Sequence, residues 1–442
     1  MVLLNLLAPW AVLGVLVRFL VSPRRGLLRE LPDELGERLG GLPAEGRAAL
    51  AGRPVLWVHA ASAGEVASVE ELLRRLSERP DAPAVLVTTT TRSGRDAARR
   101  LGQVDAAALA PVDCWPAVRR FLRHARPYAL ILVETELWPN MIELSARAGL
   151  KLGLVNGRIS QRSYPRYRLV AGLLRPFFGR LLRVAVQTEA DAQRFCALGI
   201  HRERMLVAGN MKHDRLKAGD RDGRGRQELA RLGWEGCPLL VAGSTHPGEE
   251  DAVLAAFLTA RLKFPRLKLA LAPRHVERAD GVAEVMRRRG LPFARLGRET
   301  PADGCDALLV DAMGWLPGLY ACATVAFVGG SLVPVGGHNL LEPAWAGVPV
   351  VFGPHTAHTR EAAAALQACG GGFMVGGAAG LGETILRLLG EPELAARSGA
   401  QARELARSLQ GATARTLEHL APVLAPPLPG KENARPPGTT LP

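Results

Sequence analysis

From Pro54 to Gly209 the chain repeats one pattern: VLWVH (55–59), AVLVTT (84–89), YALILVE (128–134), LGLVN (152–156), RVAVQT (183–188) and MLVAG (205–209), each run followed by a helical stretch. Short apolar runs that alternate with helices predict βαβ units on a parallel sheet, because strands buried on both faces carry few polar residues. A polar, glycine-punctuated segment from Lys212 to Gly236 interrupts the pattern. It then restarts with LLVAGS (239–244), LKLALAP (267–273), ALLVD (307–311), TVAFVGG (324–330) and VPVVFG (348–353). The expected architecture is therefore α/β, two doubly wound, Rossmann-like halves joined near residue 225. Ligands of such sheets bind outside the carboxyl ends of the strands, so the chemistry is expected in a cleft that the two halves face.

The length of 442 residues suits two domains rather than one core. A formal net charge of +14 calls for an anionic partner: nucleic acid, an acidic membrane or a phosphorylated substrate. Nucleic acid is the least favoured, since aromatic residues are few and none alternate with basic runs as stacking grooves require. The six cysteines are scattered without CxxC pairs, which reads as reduced thiols in a cytosolic compartment. Only six of the 56 basic residues are lysines, so each lysine is an exception to the chain's own habit.

Residues Val2 to Val21 are apolar except for Asn5 and Arg18, and as a helix would span about 30 Å. No cationic region precedes the run and no small-residue cleavage site follows it, so residues 1–22 read as an uncleaved anchor that either crosses the bilayer or lies in its interface. Arg24 and Arg25 then place the rest of the chain in the cytoplasm. Glu391 to Leu420 reads as a long helical pattern. The proline-rich end, residues 424–442, reads as a disordered tail.

Several strand ends carry chemistry. VLWVH runs into AASAGEVAS (60–68), which puts Glu65 at the start of a helix. Two readings stand equally there: a carboxylate facing the cleft, or one that complements the helix dipole. The very apolar strand 129–134 ends in Glu134, with Glu136 two residues on, before LWPN (137–140) turns at Pro139. Carboxylates at a buried strand end are costly unless used or paired. Glu134, nearer the strand, is the candidate, against a structural carboxylate that ties down the loop. GNMKHD (209–214) places Lys212 after a strand, where a compact ammonium suits a phosphate or carboxylate, or is an ordinary surface lysine. In the second half AGSTHPGEED (242–251), APRH (272–275) and FVGGSLVPVGGHNLLEPAWAGVPVVFGP (327–354) are strand-end turns suited to phosphate, which favours a nucleotide. The only Asp-x-Asp, Asp220 and Asp222, falls in the polar linker and no clustered metal ligands are visible, so no metal and no cofactor are expected.

Taken together, VLWVHAASAGEV, TTTTRSGRD, LVETELWPNM, VNGRISQRSY, QTEADAQRF, GNMKHD, AGSTHPGEE, APRHVERA and VGGHNLLEPAWAGVPVVFGP closely resemble the bacterial 3-deoxy-D-manno-octulosonic acid (Kdo) transferase family, in order from about residue 36 to 390. The resemblance implies a GT-B glycosyltransferase that moves Kdo from CMP-Kdo to a phosphorylated lipid A precursor, without metal, at the cytoplasmic face of the inner membrane. It implies an acceptor-binding domain at 36–225 and a nucleotide-sugar-binding domain at 226–423. Glu65 would be the general base, Glu134 would stabilise the transition state, and Lys212 would assist with anionic groups. CMP contacts would fall on Pro273 and Arg274, on Met313, Gly314 and Trp315, and on Asn339, Leu340, Leu341 and Glu342. Many relatives place a glutamate where this chain has Trp315, so contacts there are expected through backbone. Rival readings are another nucleotide-sugar enzyme of this fold, such as an epimerase, and a non-catalytic lipopolysaccharide-binding protein.

Overall fold

The computed structural model describes residues 31–215, 223–298 and 304–426. The proposed anchor at 1–22, the Asp220/Asp222 pair and most of the tail lie outside them. Among the described residues no helix is long and apolar enough to cross a membrane.

The chain divides into two compact units, Met1–Arg215 together with Gln410–Pro442, and Leu216–Leu409. The first carries β1 (Val55–His59), β2 (Ala84–Thr89), β3 (Ala106–Leu109), β4 (Pro127–Val133), β5 (Lys151–Gly157), β6 (Arg183–Val186) and β7 (Met205–Val207) in the order β3-β2-β1-β4-β5-β6-β7. Its strand pairs are parallel throughout, so the alternation read from the sequence holds. Every residue of β1 and β4 is buried. Successive side chains point to opposite faces: Trp57, Leu86, Leu130 and Leu132 build one core, Leu56, Val58, Val85, Val87 and Ile131 the other. Helix starts are marked by hydroxyl caps: Ser62 Oγ, Thr91 Oγ1 and Thr188 Oγ1 accept from the N–H of Glu65, Gly94 and Asp191.

The second unit repeats the design with β8 (Leu239–Thr245), β9 (Lys268–Pro273), β10 (Phe293–Arg295), β11 (Ala307–Leu309), β12 (Val325–Val328), β13 (Val350–Phe352) and β14 (Gly372–Met374), ordered β10-β11-β9-β8-β12-β13-β14. After the Pro392–Ser408 helix the chain returns to the first unit as the helices Ala412–His419 and Ala421–Leu424. Leu420 and Val423 pack over Gly153 of β5, where a Cβ would meet Leu420 at 2.9 Å. Tyr128 of β4 donates to the Leu424 carbonyl at 2.8 Å.

Candidate active site

Strand order reverses between β1 and β4 in the first sheet, and the crevice at such a reversal is where α/β sheets place their ligands. Both acidic candidates lie there. β1 ends at His59 and the chain turns through Ala60–Ser62 into the Ala63–Ser77 helix. In the first turn, Glu65 Oε2 accepts from the Ala61 N–H at 2.7 Å and Oε1 from the Ser62 hydroxyl at 3.3 Å. Glu65 thus closes the helix start. It does so under strain: burial, then the charges of Glu136 and Glu134, outweigh the Ala61 and Ser62 hydrogen bonds and push its pKa up to about 7. A carboxylate that titrates near neutrality is suited to take a proton.

Glu134, just past β4, has φ +59°, a left-handed conformation rare for residues other than glycine and aspartate-like ones. Its N–H still pairs with the Val155 carbonyl at 3.0 Å. Its Oε1 accepts from Lys212 Nζ at 2.8 Å and lies 3.5 Å from Asn156 Nδ2. Asn156, itself left-handed, holds the Met211 N–H through Oδ1 at 3.0 Å and so locates the segment that carries Lys212. The structure therefore brings Glu65, Glu134 and Lys212 together. Asn156, unnoticed as a site residue in the sequence, sits in an Asn-Gly pair at a strand end, a signal for left-handed backbone.

Glu136 takes a different partner from Glu134. Its Oε2 accepts from Trp138 Nε1 at 2.7 Å and faces His59 Nε2 at 3.6 Å. Glu136 remains close enough to Glu65 to raise its pKa. Burial pushes Glu136 up, but His59 and Trp138 outweigh it and hold it below the usual carboxylate range.

In the second unit the three stretches expected to meet CMP all follow strands. Pro273 ends β9, and exposed Arg274 donates its N–H to the Thr245 carbonyl at 3.0 Å. Met313 is 72% exposed, Gly314 has φ +85° and Trp315 packs partly into the core ahead of the Leu316–Tyr320 helix. Asn339 accepts from the Leu341 N–H at 3.1 Å and donates to Glu342 Oε1 at 3.2 Å. Leu340 and Leu341 are buried. Burial raises the Glu342 carboxyl against the Asn339 hydrogen bond. Arg274 acts on His338 of the GGHN loop: burial, then the charges of His246 and Arg274, lower the His338 pKa to about 4. His338 stacks on His246 with Nε2 atoms 2.8 Å apart.

The AGSTHPGEED turn differs from its sequence reading as an anion cradle. The fully buried Glu249 carboxylate already accepts from the N–H groups of His246, Gly330, Ser331 and Leu332 at 2.7 to 3.0 Å. The anion these turns suit is supplied by the chain itself. Among the described residues no group of three or more His, Cys, Asp or Glu side chains is placed to hold a metal ion.

A family model described as 3-Deoxy-D-manno-octulosonic-acid transferase (kdotransferase) matches residues 33–215. The chain is 32% identical over 372 residues to the 3-deoxy-D-manno-octulosonic acid transferase of Haemophilus influenzae, covering 84% of this chain and 87% of that one. It is 35% identical over 395 residues to that of Bordetella pertussis, covering 87% and 90%. Among solved structures, UDP-GlcNAc 2-epimerase from Neisseria meningitidis bound to UDP-GlcNAc superposes with a TM-score of 0.58 at 14% identity, covering 84% of this chain and 100% of that one, a likeness of fold alone.

Proposed function

The chain belongs to the Kdo transferase family and is a CMP-Kdo-dependent glycosyltransferase of lipopolysaccharide biosynthesis, and from that premise we propose how its residues divide the work. Glu65 is the general base that takes the proton of the acceptor sugar hydroxyl. A hydroxyl is a poor nucleophile at neutral pH, so a positioned carboxylate gains rate as the donor C–O bond loosens toward an oxocarbenium-like state. Glu134, fixed by Lys212 and Asn156, places negative charge where the sugar ring becomes positive. Lys212 offsets the anionic groups of donor or transition state. CMP leaves as a phosphate anion and needs charge stabilisation more than protonation, which suits Arg274 and the backbone around Asn339 and Met313–Trp315, with no metal required. In this reading the architecture is GT-B, with the donor on the second unit and the acceptor on the first.

The acceptor is a phosphorylated lipid A precursor, met at the cytoplasmic surface of the inner membrane. The observation that supports a lipid surface is a stretch without a single acidic residue: between Glu143 and Glu189 lie eight arginines and Lys151. The same stretch exposes Leu169, Val170, Leu173 and Leu182, Leu169 at 87%. Apolar side chains among arginines fit an anionic interface.

The observation that carries the mechanism is Glu65 at the strand reversal, titrating near 7 beside the Glu134–Lys212 pair. The test is CMP release from CMP-Kdo with a lipid A precursor, in chelator, with the lipid product identified by mass. Acceptor-dependent release by the wild type that is lost in Glu65→Ala supports the assignment. Undiminished turnover in Glu65→Ala removes Glu65 as base, and turnover abolished by chelator removes the metal-free reading.

A further inference from the structure

The buried polar chain behind Glu136 is unused by the mechanism above. Trp57 Nε1, which can only donate, gives its hydrogen to Thr88 Oγ1 at 2.8 Å. Thr88 Oγ1 in turn lies 3.0 Å from His59 Nδ1. Among the described residues the Thr88 hydroxyl hydrogen has no acceptor other than Nδ1, which assigns the imidazole hydrogen to Nε2. That nitrogen faces Glu136 Oε2 at 3.6 Å and has no hydrogen-bond partner among the described residues. His59 itself is fully buried. A buried histidine whose tautomer is fixed from behind, with its free nitrogen aimed at a carboxylate, is the arrangement by which enzymes orient a charged group. The gap exceeds a hydrogen bond, as such contacts often do before a substrate is bound.

Two carboxylates therefore attach to the same strand end. Glu65 is tied to the Ala61 N–H, two residues past His59, while Glu136 faces His59 itself. We propose that His59 is a positioning residue for the transfer, which holds Glu136 beside Glu65 as a fixed second carboxylate whose negative charge favours passage of the acceptor proton to Glu65. The proposal rests on the reading of Glu65 as base. Other charged groups around the pair are Glu134, ion-paired with Lys212, and Asp113, which receives the N–H groups of Asn140 and Met141 at 3.0 and 2.7 Å and acts electrostatically on His59. Tyr167 lies within reach of the Glu136 charge.

The test is the pH dependence of kcat/KM for CMP release by the full chain, with CMP-Kdo and lipid A precursor as substrates. Glu136→Gln removes the neighbouring charge, so the acid limb moves to lower pH by about one unit. His59→Phe frees the partly exposed Glu136 side chain to turn away, and the limb moves in the same direction. In the double variant it moves no further than in Glu136→Gln alone. His59→Gln, which returns an N–H near the Nε2 position, restores the wild-type limb. Thr88→Val, similar in shape, repeats the His59→Phe shift in part should the phenylalanine variant fail to fold. An acid limb unmoved by Glu136→Gln, or a His59→Phe effect of equal size with and without Glu136, overturns the proposal. Glu65→Ala run alongside separates the two readings: full activity there sinks the base assignment itself, whereas an inactive Glu65→Ala with an unmoved Glu136→Gln limb sinks only the role of His59.

Discussion

Glu65 and Glu249 occupy matching places, each in the first turn of the helix that follows the first strand in chain order of its sheet, next to the strand-order reversal. Each reaches back to a backbone N–H of its own turn, Ala61 or His246. From there they diverge. Glu249 is fully buried and its two oxygens receive four N–H groups, three of them from the turn after β12. Glu65 is half-buried, receives one N–H and one weak hydroxyl bond, and faces two further carboxylates. A carboxylate that is buried and saturated with donors has its hydrogen-bonding capacity spent within the fold and is structural. One that is under-donated and crowded by like charge is costly to keep, and such groups cluster at functional sites. Residue type and topological place are the same, so the count of donors separates the roles.

The comparison breaks most visibly if activity fails to follow it. Glu65→Gln keeps an oxygen for the Ala61 N–H but cannot accept a proton, so kcat/KM should fall by about 10²–10⁴-fold in steady-state CMP release. Glu249→Gln sets an amide donor among four backbone donors and should cost at least ~3 kcal/mol, read as a drop in the urea midpoint. An inactive Glu249→Gln of wild-type stability would reverse the two roles. The third effect is smaller and has a definite sign. The folded-state pKa of Glu65 is raised to about 7 from an ordinary 4.5. Its ionisation therefore disfavours folding, with no penalty at or below the ordinary value and a full penalty above pH 7. Glu65→Gln should be more stable than wild type by about 1–3 kcal/mol at pH 8 and no more stable at pH 4.5, by urea unfolding at both values.

Regularity made the fold legible. VLWVH, YALILV and the other runs are buried on both faces in a parallel sheet, and burial on both faces is what erases polar residues from a strand. The acidic candidates were legible for the same reason, since Glu134 is a charge ending a run that otherwise tolerates none. What escaped are pairings between distant segments. Nothing local to His59 announces Glu136, and Thr88 reads as strand filler until β2 lies beside β1 and registers it against His59. The second-half turns show the converse failure. Glycines and a helix start do mark backbone donors, but the sequence cannot tell whether a ligand or the chain's own Glu249 takes them. The long helical pattern read from Glu391 to Leu420 is two helices, Pro392–Ser408 and Ala412–His419, and only its end returns to the first sheet, where Leu420 packs over Gly153.

A third carboxylate at a helix start, Asp214 of GNMKHD, extends the series and gives the smallest effect. Its oxygens accept from the N–H groups of Gly411 at 2.7 Å and Thr413 at 2.5 Å, which caps the returning Ala412–His419 helix from a distant segment. It is neither buried like Glu249 nor crowded by carboxylates like Glu65. Asp214→Ala should therefore cost about 1 kcal/mol, the usual worth of an N-cap, measured by urea unfolding. Lys212 is two residues away, yet its segment is held independently through Asn156 and Met211, so kcat should stay near wild type. A large loss of kcat with unchanged stability would mean that the returning helix sets the position of Lys212. Donor counting would then no longer be enough to tell a structural carboxylate from a functional one in this chain.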